Sequence, residues 1–276
     1  MYNALVRKKR AKYDFTCKEI IALLLVLTMV LAFAACSTKE PAASSEASET
    51  TGETTQETTE EVPTESETGA AEAEGTVMTH EEYMAAEMNS AVCVETYVQA
   101  TQSWWDNKIT VYAQSEDGAY FIYNMECSEE TAAKLVPGTK IRVNGFKGEW
   151  SGEVEIMDAA FEIIDGSYIA DAFDATELLG TDELINHQNE KVSFTGLTVE
   201  KVEYQNGEAG SGNDIYVTLS KDGASYDFCV EAYLTGPDSD VYTTAGALKA
   251  GDVVDVEGFL YWYNGVNTHI TAVTVK

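Results

Sequence analysis

The stretch "LVPGTKIRVNGF" (Leu135 to Phe146) returns later in the chain as "LKAGDVVDVEGF" (Leu248 to Phe259). Gly138, Ile141, Val143, Gly145 and Phe146 fall on Gly251, Val254, Val256, Gly258 and Phe259. Apolar residues at every second position read as a strand, and the glycine ahead of them as a turn. The match extends outward in the same order. "SEDGA" (Ser115 to Ala119) meets "SKDGA" (Ser220 to Ala224). "MAAEMNSAVCV" (Met84 to Val94) meets "LINHQNEKVSF" (Leu184 to Phe194), with Asn89 on Asn189 and Val92 on Val192. Shared order and shared glycine positions imply a tandem duplication, so one fold is expected twice.

Each copy gives the same succession of elements. "THEE" opens copy one as a capping box, with Thr79 as N-cap and Glu82 at N3. A strand follows in which Val92, Val94 and Val98 alternate. "ITVYA" and "AYFIYNM" form a hairpin around Asp117-Gly118, and "IYVTL" and "SYDFCV" one around Asp222-Gly223. A short helix starts near Ser128, with Glu129 and Glu130 where acids suit the helix dipole. "KIRVNGF" and "EVEIMDAAFEI" supply the last two strands, as "VVDVEGF" and "NTHITAVTV" do in copy two. Val92, Val94, Ile141, Val143 and Phe161 are expected in the first core. Val192, Phe194, Val254, Val256 and Val275 are expected in the second.

The order β-β-β-α-β-β, with Leu135, Gly138, Ile141, Val143 and Gly145 at the spacing of an L-x-x-G-x-x-I-x-V-x-G stretch, resembles the OB-fold. The fold class expected is all-β with short helices: two tandem five-stranded OB-fold-like Greek-key barrels. Another small β-barrel or sandwich is the alternative. The resemblance implies a scaffold that hosts nucleic-acid, sugar and protein binders alike, and so names no ligand.

Upstream, Arg7, Lys8, Lys9, Arg10, Lys12 and Lys18 precede the apolar run "IIALLLVLTMVLAFAAC", which ends at Cys36. This is the pattern of a secretory signal. "AFAACS" resembles the lipobox of bacterial cell-surface lipoproteins, with Phe33 where the pattern usually has Leu. That resemblance implies cleavage before Cys36, a lipid on Cys36, and a place on the extracytoplasmic face of the cell membrane. An uncleaved signal anchor is the alternative, and it would export the rest of the chain equally. The following Ser, Thr, Glu and Ala residues carry too little apolar surface to offset their ordering entropy. The organisation expected is a signal peptide over 1–35 and a lipid-anchored disordered stalk over 36–78. A first barrel over 79–166 follows, then a connecting helix and second barrel over 167–276.

In an OB-fold the ligand lies across strands two and three, between the loops joining strands 1–2 and 4–5. In copy one those loops are "QSWWDNK" and "KGEWSGE". With Ile109, Val111, Ala113, Phe121, Tyr123 and Met125 facing inward, Tyr112 and Tyr120 face outward. Trp104, Trp105, Tyr112, Tyr120 and Trp150 would then share one side, joined in copy two by Tyr261, Trp262 and Tyr263. These are the candidate ligand-binding residues, with Asp106, Asn107 and Glu149 as nearby polar groups. Stacked rings flanked by hydrogen-bonding groups suit a sugar. The competing reading is that the same aromatics pack the two barrels together.

No catalytic constellation is present in the sequence: His80, His187 and His269 are isolated, and His80 reads as solvated. No metal site and no cofactor are expected, and the protein reads as non-enzymatic. Cys93, Cys127 and Cys229 read as small buried thiols, although a Cys93–Cys127 bridge is conceivable. The chain carries 47 acidic and 17 basic residues, a net charge of -30. Such a balance repels polyanions. The ligand expected first is an oligosaccharide or glycan, then another envelope protein, with nucleic acid third.

Overall fold

The computed structural model describes residues 76–210 and 212–276. The signal segment, Cys36 and nearly all of the stalk lie outside the described residues. Among the described residues no helix is long and apolar enough to cross a membrane.

The first barrel is built from β1 (Ala91–Thr101), β2 (Lys108–Ser115), β3 (Gly118–Glu126), β4 (Thr139–Trp150) and β5 (Glu153–Ser167). They close in the order β1-β2-β3-β5-β4, with β4 returning to β1. Only the β3–β5 pairing is parallel. Helix α1 (His80–Ala85) precedes the barrel, and α2 (Glu129–Ala132) sits between β3 and β4. The second unit repeats this with β7 (Lys191–Tyr204), β8 (Ile215–Lys221), β9 (Ala224–Val230), β10 (Val253–Phe259) and β11 (His269–Val275). β10 pairs with both β11 and β7, and β9 pairs with β11 in parallel, so the second strand circuit is the same. A two-residue strand β6 (Phe173–Asp174) adds to β7, and α3 (Ala232–Thr235) and α4 (Asp240–Ala247) stand between β9 and β10. The fold is two tandem OB-type barrels.

The duplication is visible in matching hydrogen bonds. Asn89 and Asn189 both adopt the left-handed conformation, at φ 65° and 71°. Their N–H groups donate to the carbonyls of Lys147 and Leu260, at 2.8 and 2.9 Å, just past each copy's "GF". The N–H groups of Gly138 and Gly251 donate to Val98 and Val199, at 2.7 and 2.8 Å. Gly145 and Gly258 sit at the same irregularity, where the last strand of each barrel presses against its neighbour. A Cβ on Gly258 would lie 2.2 Å from the His269 carbonyl oxygen, and one on Gly145 2.8 Å from that of Met157.

The capping residues do what their spacing predicts. Thr79 accepts from the Glu82 N–H while the Glu82 carboxylate accepts from that of Thr79. Ser128 accepts from the Thr131 N–H at the start of α2. Val92, Val94, Ile141 and Val143 are buried in the first core, and Val192, Phe194, Val254 and Val256 in the second. Phe161 is partly buried against the first core. Val275 is a correction: it is 49% exposed. It pairs with Val254, but β11 meets β9 only at His269 and runs on past it, so the end of the strand has no second neighbour to pack on. Two 3-10 turns, Thr176–Leu178 and Leu184–His187, stand where a connecting helix was expected. The copy-one hairpin turn is also one residue early. Ser115 pairs with Gly118, so Glu116 and Asp117 are its central residues. In copy two Asp222 and Gly223 are central, both at positive φ.

His80 is not solvated. Its ring lies against Gly118 and meets Tyr120 edge-on at 5.2 Å, and burial lowers its pKa. Tyr83, also in α1, packs against Tyr120 at 5.1 Å. Burial pushes the hydroxyl pKa values of Tyr83, Tyr112 and Tyr120 upward. A raised pKa in the folded state means stability that is complete below the ordinary tyrosine value of about 10 and is lost as pH rises above it. We therefore expect these three tyrosines to ionise only with unfolding. Absorbance titration of the tyrosinate band beside circular dichroism should show the last hydroxyls titrating with loss of structure. Tyr83→Phe should reduce the steepness of that loss.

Candidate functional site

The face of β2 and β3 departs from strict alternation at Asn124. Ile109 pairs with Met125 and Val111 with Ile122, so β3 carries one more residue than β2 over this span. Asn124 takes the extra turn at φ 49°. Its N–H donates to Thr110 Oγ1 at 3.2 Å. A bulge of this kind reverses which side chains point inward beyond it. Met125 faces the core as expected, but so do Ile122 and Tyr120, whereas Phe121 and Tyr123 turn to the opposite face. Tyr120 is thus removed from the ligand-binding set: it is a buried core residue.

Tyr112 does point out of the first barrel, but it is only 1% exposed. Tyr112 and Phe121 form an apolar cluster with Phe259 and Tyr261 of the second barrel, against which Tyr123 and Tyr263 also pack. Tyr112 stacks on Phe259 at 4.7 Å, and Phe121 meets Tyr261 edge-on at 5.2 Å. The face on which an OB-fold takes its ligand is occupied here by the β10–β11 segment of the next barrel. This corrects the placement of Tyr112 and Tyr261 as solvent-facing rings: the barrels pack together through them. The rings are spent here because a flat aromatic face is the largest apolar surface either barrel can offer.

Polar groups complete this seam. The Tyr112 hydroxyl lies 2.6 Å from His269 Nδ1 and donates to the Glu231 carboxylate at 3.1 Å. Gln102 also donates to Glu231, and the His269 ring stacks on Tyr261 at 4.2 Å. Farther along, the Trp262 N–H donates to the buried Glu153 carboxylate at 2.7 Å. The Asn264 N–H donates to the Ser151 carbonyl, and Gln188 bridges Gly152 and Val154. These contacts hold the β4–β5 hairpin, and with it Trp150, against the second barrel. Trp150, Trp262 and Tyr263 are all partly buried.

Trp104 and Trp105 lie on the β1–β2 connection, and they differ. The Trp104 indole N–H donates to the Cys127 carbonyl at 2.9 Å, which pins a partly buried ring. Trp105 is 70% exposed. Its backbone exchanges hydrogen bonds with Lys108, both 3.0 Å, across Asp106 and Asn107 at φ 51° and 58°. Two successive positive φ values make the tight hairpin turn that Asp and Asn tolerate. Ser103 is held in turn to the Tyr233 carbonyl, at 2.6 Å from its N–H. Tyr233 is itself 47% exposed. Of the residues expected at the ligand, the structure therefore leaves Trp105 open on a fixed turn. It adds Tyr233, which sequence periodicity had no means of placing there.

Of the ten basic side chains among the described residues, Lys134, Lys140, Arg142, Lys201, Lys221 and Lys276 are in ion pairs, and Lys147 is buried with its amine donating to the Met84 and Ala86 carbonyls. Cys93 and Cys127 are free thiols; Cys93 and Cys229 are buried, and Cys127 is half-buried. Among the described residues no group of His, Cys, Asp and Glu is arranged to hold a metal ion.

No family model matches the chain, and no curated protein matches it. Among solved structures, asparaginyl-tRNA synthetase from Pyrococcus horikoshii is 18% identical over 31% of this chain and 18% of its own, with a TM-score of 0.24. A murine DNA-binding protein bound with double-stranded DNA is 10% identical over 66% of this chain and 94% of its own, with a TM-score of 0.34. The p204 HINb domain is 12% identical over 69% of this chain and 100% of its own, with a TM-score of 0.33. The chain spans less than a fifth of the synthetase it resembles. The OB-type assignment rests on the strand order and register of the two barrels.

Proposed function

We propose that this chain is a non-catalytic lipoprotein of the extracytoplasmic membrane face that binds a glycan at the tip of the β1–β2 hairpin. The observation that carries the reading is the 70% exposure of Trp105 on a turn fixed by its own backbone. An indole exposed on a fixed backbone turn can stack on a sugar ring with no ordering of the loop that carries it. Asp106 and Asn107, both exposed, stand beside it as hydrogen-bonding groups. The anchor is supported by "AFAACS" after the apolar run. The net charge of -30, with six of the basic side chains already in ion pairs, weighs against a phosphate backbone, which needs a positive stripe.

The test is a glycan array probed with the full chain and with Trp105→Ala. One stacked ring contributes roughly 1–3 kcal/mol by analogy with base–aromatic stacking, so the variant should bind about five- to hundredfold more weakly. Its melting temperature should barely move, since the ring is mostly in water already. An array on which the wild type retains no glycan would sink the reading. The anchor has its own check: mass spectrometry of the membrane fraction should find a diacylglyceryl group on Cys36, lost in Cys36→Ala. Wild-type protein without that mass would remove the proposed address.

A further inference from the structure

A groove of about 440 Å³ opens on the first barrel, at the far end of β2 from Trp105. The eight residues of β2 separate them by roughly 24 Å. Tyr97 and Tyr168 form one wall, meeting edge-on at 5.5 Å. Lys140 reaches over the Tyr97 ring at 5.8 Å and pairs with Glu95 at 2.7 Å, which holds that carboxyl below its usual range. Glu116 and Asp117, both exposed, stand on the rim.

The second barrel is an internal control for what the scaffold requires. Glu95 pairs across the strands with Arg142, and Tyr97 with Lys140. At the matching places of copy two stand Thr195 and Asp255, then Thr198 and Val253. The same barrel closes without this charged and aromatic set. These side chains are therefore not needed to build it.

We infer that this groove binds an amino sugar, a pyranose ring bearing a free amine. Its volume lies in the range of roughly 300–1,000 Å³ usual for small-molecule sites. The tyrosines offer ring faces and edges to the carbon skeleton. Lys140 and Ser167 can donate to hydroxyl oxygens, and the rim carboxylates can accept from hydroxyls and from an ammonium group. Glu95 is matched by Lys140 and Arg142, so Glu116 and Asp117 are the rim carboxylates left to favour a cation and oppose a phosphate or carboxylate ligand. The inference does not depend on the Trp105 tip, because the two sites share no residue.

The test is an NMR and calorimetric titration of the full chain in detergent with glucosamine, N-acetylglucosamine, glucose and cyclohexylamine. Glucosamine should bind best and shift the ring signals of Tyr97 and Tyr168. Glu116→Gln, an exposed change that leaves the barrel intact, should weaken it about two- to fivefold, the range of a solvated charge pair. Higher salt should weaken it further, and Trp105→Ala should leave it unchanged. Equal binding of glucose or N-acetylglucosamine would overturn the amine requirement. Equal binding of cyclohexylamine would overturn the sugar. Failure of glucosamine to bind, or shifts that spare both tyrosines, would overturn the site.

Discussion

Gly258→Ala should cost about 2 kcal/mol net. Two effects oppose each other at this position. Alanine in place of glycine inside a strand ordinarily gains roughly 0.5–1 kcal/mol, because the unfolded chain has less freedom to lose. Against that, the new Cβ would stand 2.2 Å from the His269 carbonyl oxygen and 2.9 Å from the Ile270 Cα. Backbone cannot swing aside as a side chain can, so β10 and β11 would have to separate where they pair. Overpacking of that kind costs typically 1–3 kcal/mol and sometimes more, so it outweighs the entropy gain. For a folded region of this size the midpoint should fall by about 4–8 °C. Gly145→Ala should behave alike, since its Cβ would meet the Met157 carbonyl at 2.8 Å. Gly223→Ala is the contrast: it has φ 83° but nothing within 4 Å, and should cost only about 1 kcal/mol of backbone strain. Thermal melts of the three variants check this; a Gly258→Ala protein as stable as wild type would refute the close strand approach.

The second large effect is expected at Tyr112. Truncation to Ala removes a buried ring stacked on Phe259 and takes a hydrogen bond from the buried Glu231 carboxylate. Large-to-small changes of buried aromatics cost about 3–5 kcal/mol. Tyr112→Phe keeps the ring and isolates the hydroxyl, which should cost about 1–2 kcal/mol. Denaturant titration of both variants separates packing from hydrogen bonding. Were Tyr112 a ligand-facing ring instead, Tyr112→Ala would leave stability nearly unchanged, and the seam would be wrong.

The repeat made the strand order legible, because glycines and alternating apolar residues carry the barrel plan in each copy. Gly138 and Gly251 could be matched by eye, and so could Asn89 and Asn189, because a left-handed backbone restricts the residue types that fit it. What alternation could not carry was the bulge. Counting back by twos from Met125 places Tyr123 and Phe121 inside, and one extra residue at Asn124 reverses that. The available signal was Asn124 itself, a residue poorly suited to a strand interior. The face of Tyr112 was read correctly, and its occupant is the competing one of the two expected, the second barrel; periodicity describes one element at a time and could not choose between them. The seam is held by Gln102, Gln188, Glu153 and Glu231 in loops and strand ends, whose partners are far away in sequence. Trp104 and Trp105 looked equivalent as neighbours. The Cys127 carbonyl and the Asp106-Asn107 turn are what set them apart.

Barrel-to-barrel packing covers the aromatic face of the first barrel and leaves Trp105 as the presented ring on the β1–β2 turn. The most direct measurement uses the four tryptophan indole N–H signals of the full chain, assigned by single Trp→Phe variants. A neutral, soluble gadolinium chelate is added to broaden whichever signals meet solvent. Strong broadening of Trp105 is expected, with the Trp104 indole shielded by its bond to Cys127 and the buried Trp150 indole nitrogen shielded as well. Broadening of Trp150 as strong as that of Trp105 would mean that the second barrel does not cover the face of the first, and would contradict this packing.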